Sequence, residues 1–147
     1  MAKALKLGIT NKPGNRISDV NSIEAIAGKG IFGDRHFSEN KNSREQVTLI
    51  ESENIDYYNN KFKTNYSYID FRRNVVTQGI QLNELVGKKL LIGNVEVQGH
   101  DLCRPCKHLE ETLKGQDIIK EFLRRGGLRC EIIKSGNVNI GDEIKVV

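Results

Sequence analysis

Residues 100 to 108 read His100-Asp101-Leu102-Cys103-Arg104-Pro105-Cys106-Lys107-His108, with two thiols, two imidazoles and flanking cations. A thiol beside Arg104 and Lys107, at the start of a helical pattern, is drawn toward its thiolate, the form that attacks electrophiles and ligates metals. Pro105 stiffens the link between the sulfurs. Cys106 follows that proline and adjoins Lys107, which makes it the candidate catalytic nucleophile or metal ligand. Cys103 follows Leu102 at the end of a strand and is the secondary, more buried thiol. A closed zinc site needs four ligands; Cys103, Cys106 and His108 supply three, and the chain has no second Cys-x-x-Cys. A thioredoxin-type pair shares the spacing but lacks the strand-helix-strand surroundings of that fold. The third cysteine, Cys130, alternates with Leu128 and Ile132, which assigns it to a core; a third metal-binding thiol is the other reading.

A second cluster, Gly28-Lys29-Gly30-Ile31-Phe32-Gly33-Asp34-Arg35-His36, has glycines that permit positive φ and close backbone approach to a ligand. Arg35 adds a planar fork for phosphate or carboxylate. The pattern is neither a Walker A loop nor a dinucleotide fingerprint. It reads either as an anion-binding loop or as a surface hairpin in which Asp34 pairs with Arg35. A third cluster, Phe71-Arg72-Arg73-Asn74, opens an apolar strand. Strand alternation puts Arg72 and Asn74 on one side and Arg73 on the other, so one arginine can serve a pocket; two solvated surface cations are the other reading.

The elements that must position these residues are mostly strands. Period-2 alternation and β-branched residues mark Ala2 to Ile9, Ser22 to Ala27, Gln46 to Ile50, Asn74 to Thr77, Lys89 to Ile92, Val95 to Gly99, Leu128 to Lys134 and Glu143 to Val147. Gly93-Asn94 has tight-hairpin chemistry. Helical pattern is confined to Glu51 to Phe62, a turn at Leu82 to Leu85, and His108 to Arg125. Many short strands must bury one face and hide their edges, which predicts a mainly β fold with flanking helices, a closed or nearly closed mixed β-barrel. The 147 residues, 37% of them hydrophobic, suit a single domain spanning residues 1–147. A net charge of +4 favours anionic ligands without calling for nucleic acid. No apolar run approaches membrane-spanning length and no secretory signal is evident, so the expected address is the cytoplasm. An odd, small number of cysteines fits a reducing compartment.

Taken together, the clusters resemble a MOSC domain, the module at the carboxyl end of molybdenum-cofactor sulfurases and in small free-standing bacterial proteins. The matching segments are Gly30 to His36, Arg44-Glu45-Gln46-Val47-Thr48-Leu49-Ile50, Arg72 to Asn83, Leu102-Cys103-Arg104-Pro105-Cys106, Gly127-Leu128-Arg129 and Gly141-Asp142-Glu143-Ile144. The resemblance implies a β-barrel and a role around the molybdenum cofactor (molybdopterin), in reducing N-hydroxylated compounds or in carrying sulfur. It places a molybdenum ligand on Cys106 and cofactor contacts on Arg72, Asn74 and Arg104, to which the loop residues Arg35 and His36 are added. As a reductase the protein would need an electron-transfer protein as partner. As a persulfide carrier it would receive sulfur on Cys106 or Cys103 from a desulfurase that itself uses pyridoxal phosphate. A non-catalytic cofactor-binding module is the third reading.

Overall fold

The fold is known from a computed structural model that describes residues 1–10, 17–38, 45–105 and 107–147; Cys106, Arg44 and the His108 side chain lie outside the described residues. The strands are β1 (Lys3–Ile9), β2 (Ser18–Val20), β3 (Ser22–Ile26), β4 (Gly30–Ile31), β5 (Val47–Glu51) and β6 (Val75–Gln78), then β7 (Lys89–Ile92), β8 (Val95–Leu102), β9 (Leu128–Lys134), β10 (Gly136–Asn139) and β11 (Ile144–Val146). Eight of them form one sheet in the order β11-β7-β8-β9-β5-β6-β1-β2, and β10-β3-β4 form a second. The sheet is mixed: β5 and β6 run parallel, with Leu49 opposite Val75, and the other pairs are antiparallel. Every expected strand is present. β2, β4 and β10 are additional; they are too short or too polar to show a period.

The closed barrel expected from the sequence does not form as an unbroken ladder among the described residues. β1 gives part of its second edge to β2 through Leu7, Gly8 and Ile9. Only its first half is free to meet the segment before β11, which it does at the Lys3–Glu143 bridge. There Ala4 N donates to Asp142 O, Gly141 N to Ala4 O and Ile144 N to Ala2 O.

Alternation in β5 and β6 divides the interior in two. Leu49 and Val75 point into a core of β-strand residues that also holds Leu7, Leu90, Val97, Leu128 and Cys130. Ile50 and Val76 point the other way, into a second core with Ile55, Tyr58, Phe71, Ile118 and Phe122. Burial on both faces explains why Leu49-Ile50 and Val75-Val76 are adjacent apolar residues.

Helix α1 (Ser52–Phe62) buries Ile55 and Tyr58 against this second core and ends where Lys63 turns left-handed at φ 56°. The helical stretch expected from His108 to Arg125 is two short helices, α2 (Lys107–Leu113) and α3 (Ile118–Phe122). The break is physical: Lys114 and Asp117 are both left-handed. The Tyr66 hydroxyl donates to Leu113 O at 2.7 Å and that of Tyr58 donates to Gln116 O, so tyrosines take carbonyls that a continuous helix would use internally. Tyr68–Phe71 adds a 3-10 turn missed in the sequence, and the turn at Leu82–Leu85 is also 3-10.

Candidate functional site

The amino-terminal halves of β5 and β6 meet the carboxyl end of β8 and the start of β9 around a depression of about 180 Å³, lined by Arg35, His36, Glu45, Thr48, Arg73, Cys103, Arg104 and Arg129. Four guanidinium groups thus face one lining carboxylate. Arg129 spends part of its charge on Glu45 at 2.9 Å and Asp101 at 3.8 Å.

Arg73 is held differently. Its Nε donates to Gly126 O at 2.9 Å and its Nη1 to Phe71 O at 3.3 Å. Carbonyls orient the guanidinium without neutralising it, which leaves its full charge for an anion. This corrects the sequence expectation about the arginine pair. Arg72 is not in the strand: it caps the 3-10 turn in the left-handed region at φ 65°, and β6 begins at Val75. Alternation therefore does not apply at 72 to 74, and Arg73 lines the depression. Arg72 contributes its carbonyl, which accepts from Arg35 Nη2 at 3.3 Å.

Asn74, also expected at the pocket, is instead a buried clamp. Its Oδ1 accepts from Thr48 N at 3.1 Å and Thr48 Oγ1 at 3.2 Å, and its Nδ2 donates to Gly8 O at 3.1 Å. With its backbone bonded to Thr48 and Gly8 as well, Asn74 ties β1, β5 and the start of β6 together.

The glycine-rich loop does its work through side chains. Gly30 and Gly33 take positive φ (125° and 84°), and a Cβ at Gly30 would lie 3.2 Å from Phe37 Cα. The backbone N–H groups expected to face a ligand are already used: Phe32 donates to Glu24, Asp34 to Ile31, Arg35 to Thr10 and Phe37 to Asp34. Asp34 is buried and accepts from Thr10 N at 3.1 Å and His36 N at 3.3 Å, so the loop is anchored to the end of β1, not closed by a surface Asp34–Arg35 pair. That anchor delivers Arg35 and His36 to the depression. Arg35 Nη1 and His36 Nδ1 are buried atoms without a hydrogen-bond partner. Burial lowers the affinity of both side chains for their protons; nearby Arg72 adds to this at Arg35, and Arg35 adds to it at His36. His36 stands 3.8 Å from the carboxylates of Asp34 and Glu45, whereas Arg35 Nη1 lies among crowded cations and is open to an acceptor-rich anion.

Cys103 lies on the same lining. Burial pushes its thiol up, with Arg73 and Arg129 pulling the other way. Its backbone N–H donates to Gly127 O at 2.7 Å. Cys130 is fully buried in the strand core and its thiol is pushed far up by burial, which agrees with the core assignment. Arg104 is exposed at the rim and Lys107 opens α2. His100 pairs with Glu131 at 3.0 Å across β8 and β9. Among the described residues no cluster of His, Cys, Asp and Glu could hold a metal ion. The sequence reading missed Glu45, Thr48 and Arg129 as lining residues. The signal for Arg129 was present, because the alternation that buries Leu128 and Cys130 turns Arg129 to the opposite face.

Comparison with known proteins gives a consistent placement. The family model of the MOSC domain matches residues 31–145. The YuaD protein from Bacillus subtilis superposes with a TM-score of 0.83 at 21% identity, covering 99% of this chain and 94% of that one. YiiM from Geobacillus stearothermophilus gives 0.80 at 14% identity over 100% and 75% of the two chains. YiiM from Escherichia coli gives 0.76 at 18% over 100% and 70%. No curated protein matches the sequence significantly.

Proposed function

Because the chain belongs to the MOSC domain family, a family associated with molybdenum-cofactor binding, we propose that its four-arginine depression holds the anionic end of a molybdenum cofactor and that the protein takes part in reducing N-hydroxylated compounds. The observation that carries this reading is Arg73, a guanidinium oriented by two carbonyls and left unneutralised, beside Arg35 Nη1, which is buried without a hydrogen-bond partner. A depression of about 180 Å³ matches a phosphate-sized group and falls below the ~300–1,000 Å³ of whole-ligand pockets, so the described residues fit the cofactor's charged end. Cys106, the next thiol along the chain after Arg104 and Pro105, is the proposed metal ligand, since a soft thiolate suits molybdenum. The chemistry that such a group supplies is two-electron reduction of an N–O bond, with electrons from a separate electron-transfer protein.

The chain's own contribution is positioning and charge. Arg73 and Arg35 bind and orient the anion and Arg104 closes the rim, while Thr48 Oγ1, which accepts from Asn74 N at 3.1 Å and donates to Asn74 Oδ1 at 3.2 Å, is part of the lining that the Asn74 clamp holds in place. The bridge between β1 and the segment before β11 supports reading the sheet as a nearly closed barrel that holds these groups rigidly. For the persulfide alternative, the raised Cys103 thiol is a poor acceptor, so that reading also falls on Cys106.

Expression in a cofactor-producing host, followed by elemental analysis for molybdenum and fluorescence of the oxidised pterin, tests the proposal. Wild-type protein should carry both, Arg73→Ala should lose the pterin, and Cys106→Ser should keep pterin but lose metal-dependent reduction of a hydroxylamine by an artificial donor. Wild-type protein isolated without pterin or molybdenum overturns the reading.

A further inference from the structure

A second cavity among the described residues shares no residue with the arginine depression. It is a groove of about 820 Å³ at the other ends of β5 and β6, lined by Glu51 and Glu53 from the end of β5 and the start of α1 and by Lys120, Glu121 and Arg124 from α3 and the residues after it. At ~3.3 Å per strand residue, the separations from Thr48 to Glu51 and from Arg73 to Gly79 put the two sites roughly 10–20 Å apart.

The two walls differ in the charge they leave free for a ligand. On the acidic wall, Glu51 is half-buried and accepts from Asn54 Nδ2 at 3.0 Å. Glu53 accepts from Gly79 N at 2.8 Å. Burial is the main influence on the Glu51 carboxyl and holds it up at about 7; the charge that adds to this is the like charge of Glu53. On the basic wall, Glu121 is taken by Lys61 at 3.1 Å, and Arg125 lies over the Tyr57 ring and bonds Glu121 O. Lys120 and Arg124 are exposed and take part in no ion pair among the described residues. Two asparagine amides fasten the backbones of the two walls to each other, Asn54 to Arg125 O at 3.4 Å and Asn83 to Arg124 O at 2.8 Å. The half-buried Glu51 carboxyl carries a desolvation cost that a ligand cation relieves, and the exposed Glu53 adds its negative charge beside it.

We propose that this groove is a second ligand site, for a small zwitterion whose ammonium meets Glu51 and Glu53 and whose carboxylate meets Lys120 and Arg124. A short amino acid or dipeptide has this chemistry. The inference stands apart from the cofactor reading, since it uses none of the same residues.

A direct test is an amide-shift titration of isotope-labelled protein with glycine, γ-aminobutyrate, ε-aminocaproate and glycylglycine, with propylammonium and butyrate as single-charge controls. At least one zwitterion should bind about tenfold tighter or better than either control. The largest shifts should fall on the amides of Gly79, Gln81, Leu82 and Arg124, and the best chain length reads out the distance between the walls. Glu51→Gln and the exposed Arg124→Glu should each weaken that zwitterion toward the level of the controls. The proposal is overturned if no zwitterion exceeds the single-charge controls, if the shifts fall at Arg35, Thr48 and Arg73 instead, or if both variants bind like wild type.

Discussion

At the scale of single residues, the arginine pair 72–73 separates anion binding from folding. Arg73→Ala removes a charge-assisted contact worth about 1.5–3 kcal/mol, so sulfate affinity measured by calorimetry should fall roughly tenfold to a hundredfold. Arg72→Ala, which leaves the Arg72 carbonyl in place under Arg35, should change that affinity much less. Losses of equal size in both variants would contradict the geometry of Arg73. Asn74→Ala tests the clamp. It strips the acceptor of Thr48 N and Oγ1 and the donor to Gly8 O in a fully buried setting, so stability to urea should drop by about 2–3 kcal/mol. A drop in anion affinity with stability unchanged would instead return Asn74 to the pocket.

At the scale of elements, the segment from Arg124 to Gly127 is the piece on which both cavities depend. Its successive carbonyls accept from Asn83, Asn54, Arg73 and the backbone of Cys103, so one strap shapes the groove with its first two carbonyls and the arginine depression with its last two. Glycine is required here for steric reasons. Gly127 has φ +105°, and a Cβ on it would lie 1.8 Å from Leu49 O, while one on Gly126 would lie 2.6 Å from Cys103 O. Gly127→Ala should therefore cost more than about 4 kcal/mol or prevent folding, read as lost soluble yield or an early thermal transition. Near-normal melting of that variant would mean that the strap is not seated as described.

Across the whole molecule, the two cavities respond oppositely to solution conditions. Folding lifts the Glu51 carboxyl from 4.5 to about 7, so the native state holds more protons than the unfolded chain between those values and stability falls as pH rises through that window. Glu51→Gln should therefore stabilise the protein at pH values above about 7 by about 1 kcal/mol, after allowance for the side chain's exposure to solvent, and give nothing near pH 4. Paired thermal melts at the two pH values read the difference. Sulfate should raise the melting temperature of wild-type protein in proportion to RT ln(1 + [L]/Kd), and Arg73→Ala should abolish most of that rise. An identical rise in both proteins would assign the effect to general salt action. Among the described residues no helix is long and apolar enough to cross a membrane.

Local chemistry is legible in the sequence wherever one residue's surroundings are set by its near neighbours. The eight expected strands follow from alternation and β-branched apolar residues, α1 from its periodic apolar positions, and the positive φ of Gly30 and Gly33 from their lack of a Cβ. The order of the motifs along the chain was also sufficient to identify the family, whose model matches residues 31–145. Tertiary structure alone decided which side chains converge. Arg73 replaces Arg72 at the pocket because a 3-10 turn ends in a left-handed residue and breaks the alternation on which the sequence argument relied. Asn74 became a clamp because β1 and β5 bring Gly8 and Thr48 to it from far along the chain. Local alternation turns Arg129 away from the core, but its meeting with Glu45 and Thr48 depends on the long-range pairing of β5 with β9, since register between distant strands is set by the packing of the whole sheet.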